Sequence, residues 1–98
     1  MTNEQQTILI VDDKDANLVA LERLLERCGA KVVRASSGNE ALAISLRHPL
    51  ALAILDVQMP EMDGFELANL LTSRSENQSL PIIFVSAVYT DPSHQYRG

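Results

Sequence analysis

A single cysteine, Cys28, is all the thiol chemistry this chain carries, so no intrachain disulfide can form. It falls in a helical apolar pattern, and we expect it as a small core residue rather than a reactive thiol. Histidine is almost as scarce. His48 adjoins Pro49 and His94 stands near the last residue; both are expected in solvent, and neither has a ligand partner at metal-binding spacing. No apolar run reaches the length of a membrane span. The opening residues, MTNEQQT, have neither the basic nor the apolar region of a signal peptide, and a reduced, cytoplasmic setting is expected. Positive charge is short as well: 8 Lys and Arg face 13 Asp and Glu, a formal net charge of −5. That balance argues against nucleic acid or an anionic membrane as a direct partner and suits a cation or a basic protein surface. Repeats, low-complexity tracts and interdomain linkers are also lacking. The 98 residues read as one domain, 1–98, with a core of thin margin at this size.

What is present is an alternation of periods. ILIV at 8–11 is a β-branched run that ends in Asp12-Asp13. Over 15–28 the period becomes helical, with Leu18, Leu21, Leu25 and Cys28 on one face and Leu24 beside it. Gly29 is placed to end that helix. KVVRA at 31–35 reads as a second strand, more polar and suited to an edge. Ser37 and Glu40 have capping-box spacing, opening a helix to about Arg47. LALAIL at 50–55 is a third strand. Asp63 and Glu66 repeat the capping-box spacing, and Phe65, Leu67, Leu70 and Leu71 continue as a helix. A polar loop is expected over 73–79, then a fourth strand, Ile82 to Val85, ending at Ser86-Ala87. Asp91-Pro92 looks like the start of a further helix. The order β-α-β-α-β-α-β with short loops implies an α/β fold, a doubly wound parallel sheet with helices on both faces. ILIV, LALAIL and IIFV are nearly continuous in apolar residues, as strands buried on both faces should be.

One placement is costly. Asp56 closes the third apolar run, where desolvating a carboxylate is unfavourable. Parallel α/β sheets gather their sites at the carboxyl ends of the strands. Here those ends carry Asp12 and Asp13, Asp56, and Ser86. If strands one, three and four are neighbours, three carboxylates and a hydroxyl share one cleft. Their mutual repulsion would raise pKa values unless a cation offsets it. All the ligands are hard oxygens, without His or Cys, which points to magnesium, Mg2+, over zinc. A carboxylate beside Mg2+ can act as a nucleophile toward phosphorus.

These residues resemble the receiver domain of two-component response regulators. The matching pieces are ILIVDD at 8–13, ILDVQMPEMDGFEL at 54–67 and PIIFVSA at 81–87, in the family's order and spacing. The piece from Asp56 to Gly64 is highly specific. The resemblance implies a flavodoxin-like sheet and a phosphorelay role. By it, Asp56 is the phosphoacceptor, and the donor is a phosphohistidine on a histidine kinase or a histidine phosphotransfer protein. Asp13 ligates Mg2+ directly, Asp12 directly or through water, and the backbone carbonyl of Gln58 is a further ligand. Ser86 is the switch hydroxyl that turns toward the phosphoryl group, and the small Ala87 leaves access to the acceptor. The receiver catalyses its own phosphorylation and dephosphorylation rather than turning over a separate substrate. Its surface then controls a partner or an output domain.

The chain departs from the family pattern after strand four. Receivers continue with a fifth strand ending in Lys-Pro and a fifth helix, and nothing in these 98 residues matches them. Lys14 and Lys31 do not stand at the family lysine's position, and Tyr89 and Tyr96 do not stand at its aromatic switch. The expected sheet order is therefore 2-1-3-4 with the fifth strand absent, as in a receiver cut short early in its fourth helix. An exposed fourth-strand edge would favour self-association.

Plainer roles stand beside these. Asp12-Asp13 can be a solvated turn, Asp56 a plain strand end, and Ser86 a strand cap. Met59, Met62 and Phe65 fit turn packing and core. Pro60 fixes the loop, Asp63 is an N-cap, and Gly64 opens a helix where bulk would crowd it. Two other functions remain open from sequence: a phosphorylation-independent interaction module, and a Mg2+-dependent phosphohydrolase of small molecules. The second usually needs a lid, for which this chain has no room.

Overall fold

Four short runs rich in branched side chains pair into one sheet. The structure, a computed structural model, describes residues 6–86. The strands are β1 (Thr7–Val11), β2 (Lys31–Ala35), β3 (Leu52–Asp56) and β4 (Ile82–Val85). They are hydrogen-bonded in the order β2-β1-β3-β4, and each neighbouring pair is parallel. This is the expected order over the first four strands of a flavodoxin-like sheet. The helices are α1 (Asp15–Glu26), α2 (Gly38–Ser45) and α3 (Gly64–Thr72). The first crossover steps from β1 to β2; the next two run the opposite way, to β3 and then β4. Right-handed crossovers must then lie on opposite faces. Helix α1 accordingly covers one face, and α2 and α3 cover the other.

Side-chain alternation feeds the two faces. Leu9, Val11, Ala53 and Leu55 meet Leu67 and Leu71 under α2 and α3. Ile10 and Ile54 meet Leu18 of α1, with Leu21 and Leu25 packed at the margin. The reversal of direction between β1 and β3 makes their carboxyl ends the switch point of the sheet.

Several local expectations need correction. Helix α1 stops at Glu26 because a glycine turn ends it. Gly29 has φ +83°, its N–H donates to Glu26 O at 3.0 Å, and Ala30 N–H reaches Leu25 O at 3.5 Å. Such a pair of bonds closes a helix with a left-handed residue. Cys28 falls in that cap and is exposed, not in the core. Helix α2 ends at Ser45 rather than Arg47. Ser37 accepts from Glu40 N–H at 3.1 Å, but the Glu40 carboxylate turns to Ser36, whose N–H is 2.7 Å away. Only half the capping box forms there, whereas that of Asp63 and Glu66 is complete. Strand β3 runs from Leu52, two residues later than expected, and includes Asp56. A 3-10 turn, Ser75–Asn77, interrupts the expected polar loop.

Phe65 is 54% exposed, not core, and stacks on Phe84 with ring centroids 4.7 Å apart. Strand β4 is also not buried on both faces: Ile83, Phe84 and Val85 are all exposed. Among the described residues β4 has a strand on one side only. The anticipated helix start at Asp91-Pro92, together with Ala87, Tyr89, His94 and Tyr96, lies outside the described residues.

Candidate functional site

The switch point holds three carboxylates: Asp56 buried, Asp12 half-buried and Asp13 exposed. Asp56 is the last residue of β3 and only 5% exposed. Its Oδ1 accepts from the N–H of Gln58 at 3.3 Å, which turns the side chain back over the strand end. Behind it, α3 starts hard against the backbone. Gly64 N–H donates to Val57 O at 3.0 Å, and a Cβ at Gly64 would collide with the Asp56 carbonyl oxygen. Only glycine permits this approach. The Asp63–Glu66 capping box fixes the first turn of α3 at the same place.

Asp12 follows β1, and its N–H donates to Ala35 O of β2 at 3.1 Å. Its side chain caps the turn into α1. Oδ1 accepts from the Lys14 N–H at 2.9 Å, and Oδ2 from the Asn17 side-chain amide at 3.1 Å. Asp13 is exposed. One carboxylate oxygen from each of Asp12, Asp13 and Asp56 lies within 4.8 Å of the other two. Burial pushes the Asp56 carboxyl above its ordinary value. The Gln58 N–H opposes that shift, the charges of Asp12 and Asp13 add to it, and Lys14 opposes it weakly.

A hard divalent cation suits this donor set. Three carboxylate oxygens converge without His or Cys, which favours an oxygen-loving ion over zinc. Uncompensated repulsion around a buried carboxylate is the strain that such an ion relieves. Beside the cluster runs a cleft of about 400 Å3, with Asp12 and Asp56 at its polar end and Leu18, Leu21, Ile54 and Val85 along its apolar side. Ser86 follows Val85, the register partner of Asp56, and Val57 N–H bonds Val85 O at 3.0 Å. The hydroxyl-bearing residue therefore stands on the same rim as the acidic cluster.

The sequence model of the response regulator receiver domain matches residues 8–96. This chain belongs to that family. Among curated relatives, response regulator GtcR of Aneurinibacillus migulanus is 38% identical over 86 residues, which is 88% of this chain and 34% of GtcR. The receiver thus spans about a third of that relative's length. The polar-differentiation response regulator DivK of Brucella ovis is 33% identical over 82 residues, 84% of this chain and 67% of DivK. Among solved structures, the chemotaxis protein CheY4 of Vibrio cholerae superposes with a TM-score of 0.83 at 28% identity, covering 94% of this chain and 77% of CheY4.

Of the residues singled out from sequence, the receiver fold brings Asp12, Asp13 and Asp56 into one cluster and ties Gln58 to Asp56 through its N–H. Ser86 shares the rim. Asn17 was not anticipated, although an amide three residues into a helix that follows an acidic pair is a legible signal. Met59 and Met62 pack against the core, as expected. Met62 does so closely enough that a side chain at Gly38, opening α2, would meet its sulfur.

Proposed function

We propose that this receiver is the phosphoacceptor of a two-component relay, with Asp56 as the acceptor. One observation carries the reading: Asp56 is the buried member of a convergent carboxylate cluster at the switch point of the sheet. An oxygen of Asp56 attacks the phosphorus of a phosphohistidine on a histidine kinase or histidine phosphotransfer protein. The new O–P bond forms as the N–P bond breaks, and the bonding pair remains on the imidazole nitrogen. An acyl phosphate results; water later attacks its phosphorus, the O–P bond to Asp56 breaks, and inorganic phosphate leaves as the carboxylate is restored.

Asp12, Asp13, Asp56 and the carbonyl of Gln58 are the residues that would hold Mg2+, which when bound offsets charge on the transferring group. The Gln58 N–H orients the acceptor, and Gly64 holds its backbone in place. The Ser86 hydroxyl then hydrogen-bonds a phosphoryl oxygen. The new negative charge biases the surface around β4 between two arrangements, and an output domain or effector reads the change.

A net charge of −5 argues against nucleic acid or an anionic membrane as a direct partner of this domain. No helix among the described residues is long and apolar enough to cross a membrane, and the proposed site of action is the cytoplasm. Among the described residues the outer edge of β4 is unpaired, and it is proposed as a pairing surface for a second copy, which light scattering across a concentration series tests.

Intact mass after incubation with Mg2+ and a small acyl-phosphate donor tests the main reading. The parent should gain one phosphoryl group, and Asp56→Asn none. A folded parent that gains nothing sinks the proposal and favours an interaction module that works without phosphorylation.

A further inference from the structure

We infer that Asn17 is a positioning residue for the cation site, acting through Asp12. The inference rests on the Mg2+ reading above and adds to it a residue that touches neither the ion nor the phosphoryl group.

Asp12 has two side-chain oxygens, and each already accepts one hydrogen bond from this chain. Oδ1 takes the Lys14 backbone N–H at 2.9 Å. Oδ2 takes the Asn17 side-chain nitrogen at 3.1 Å. The first bond is local, an Asp caught by the amide two residues on, and survives any substitution at Lys14 except proline. The second crosses from the turn to the first turn of α1 and depends on a side chain. A carboxylate has no proton to give, so at this contact Asn17 must present its NH2 end, and the amide's orientation is set by chemistry. Two donors on two oxygens fix the carboxylate plane. With one alone, Asp12 keeps a free torsion beside two like charges, within 4.8 Å of Asp13 and Asp56, and repulsion rotates it toward solvent.

Asn17 is itself exposed, so its bond contributes little to global stability. Its effect falls on the geometry of Asp12. Helix α1 is anchored at Leu18, the adjacent residue and 4% exposed. The amide is therefore held by a packed neighbour rather than by a free loop. Partners that orient a metal-ligating group commonly change affinity by about 10- to 100-fold when removed. For a half-exposed site with a second donor still on Asp12 we expect the lower part of that range or below, about three- to ten-fold.

The test is an Mg2+ titration followed by amide chemical shifts of residues 12, 13, 56 and 58, on the parent, Asn17→Leu, Asn17→Gln, Asp12→Ala and the Asp12→Ala/Asn17→Leu pair. Asn17→Leu keeps the bulk without the donor and should raise the Mg2+ Kd about three- to ten-fold with the melting temperature unchanged. Asn17→Gln keeps an amide donor and should recover most of the affinity. In the Asp12→Ala background the Leu substitution should have no further effect, because the coupling runs through Asp12. An unchanged Kd for Asn17→Leu beside a binding parent overturns this inference alone. An equal loss in the Asp12→Ala background also overturns it, since Asn17 would then act elsewhere. A parent that shows no Mg2+-dependent shifts overturns the cation reading, and this inference with it.

Discussion

Among the described residues, the two faces of the sheet are covered unequally. Under α2 and α3, Leu9, Leu55, Leu67 and Leu71 are fully buried and the layer is closed. Over the opposite face α1 stands alone among the described helices. It seals Ile10 and Leu18, but beside it a cleft runs down to Asp12 and Asp56, and Leu24 of the same helix is 59% exposed. The closed face holds the fold together; the open face presents the carboxylates. The two are joined at Asp56, whose side chain belongs to the open face while its backbone carbonyl is met by Gly64 at the start of α3.

The contrast is broken most directly by cavity formation. Leu67→Ala should cost about 3 kcal/mol or more, within the usual range for a buried leucine. Leu24→Ala on the other face should stay within about 0.5 kcal/mol. Urea denaturation of the two variants side by side measures the difference, and equal losses would mean that the faces are not distinct.

Gly64→Ala probes the joint between them. The added methyl meets the Asp56 carbonyl, so α3 or the strand end must shift, at a cost of about 1–3 kcal/mol. Phosphoryl uptake should fall more than stability does, because the acceptor moves with its backbone. Uptake retained at the parent's rate would show that the site tolerates the displacement.

Asp56→Asn should shift stability modestly and with the opposite sign. Burial raises the carboxyl above its ordinary value of 3.8, so between that value and the raised one the folded state binds more protons than the unfolded state. Stability from this group is therefore full below pH 3.8 and declines as pH rises through the folded value. At neutral pH the penalty is complete, and the asparagine variant should be the more stable by about 1 kcal/mol. The advantage should shrink as the pH is lowered toward the ordinary carboxylate value. Saturating Mg2+ should erase it by stabilising the parent, by about 2.7 kcal/mol at a hundred times Kd. Thermal melts across pH, with and without Mg2+, check both arms; a parent already more stable than Asp56→Asn in metal-free buffer would mean the carboxylate is not under strain.

Much of this is legible in the sequence. Alternating periods set the order of elements, and the apolar runs at 8–11 and 50–55 marked strands covered on both sides. The acidic ends of those runs located the site, because a carboxylate closing a buried strand needs a cause. The misreadings share one origin. Apolarity alone assigns Cys28, Phe65 and the residues of β4 to the core. Cys28 falls in the cap that ends α1, Phe65 turns outward onto Phe84, and among the described residues β4 is flanked by a strand on one side only.

Local pattern therefore determined which residues form strands and helices, and that Asp12, Asp13 and Asp56 would gather at one end of the sheet. Periodicity is a property of neighbours in sequence, and it reports the side to which each residue is turned. Tertiary structure alone decided how deeply each carboxylate is buried, that Asn17 reaches Asp12, and that Gly64 lies against Asp56. Those facts depend on distances between elements, which follow from how the helices seat on the sheet and not from the order of residues within any one of them.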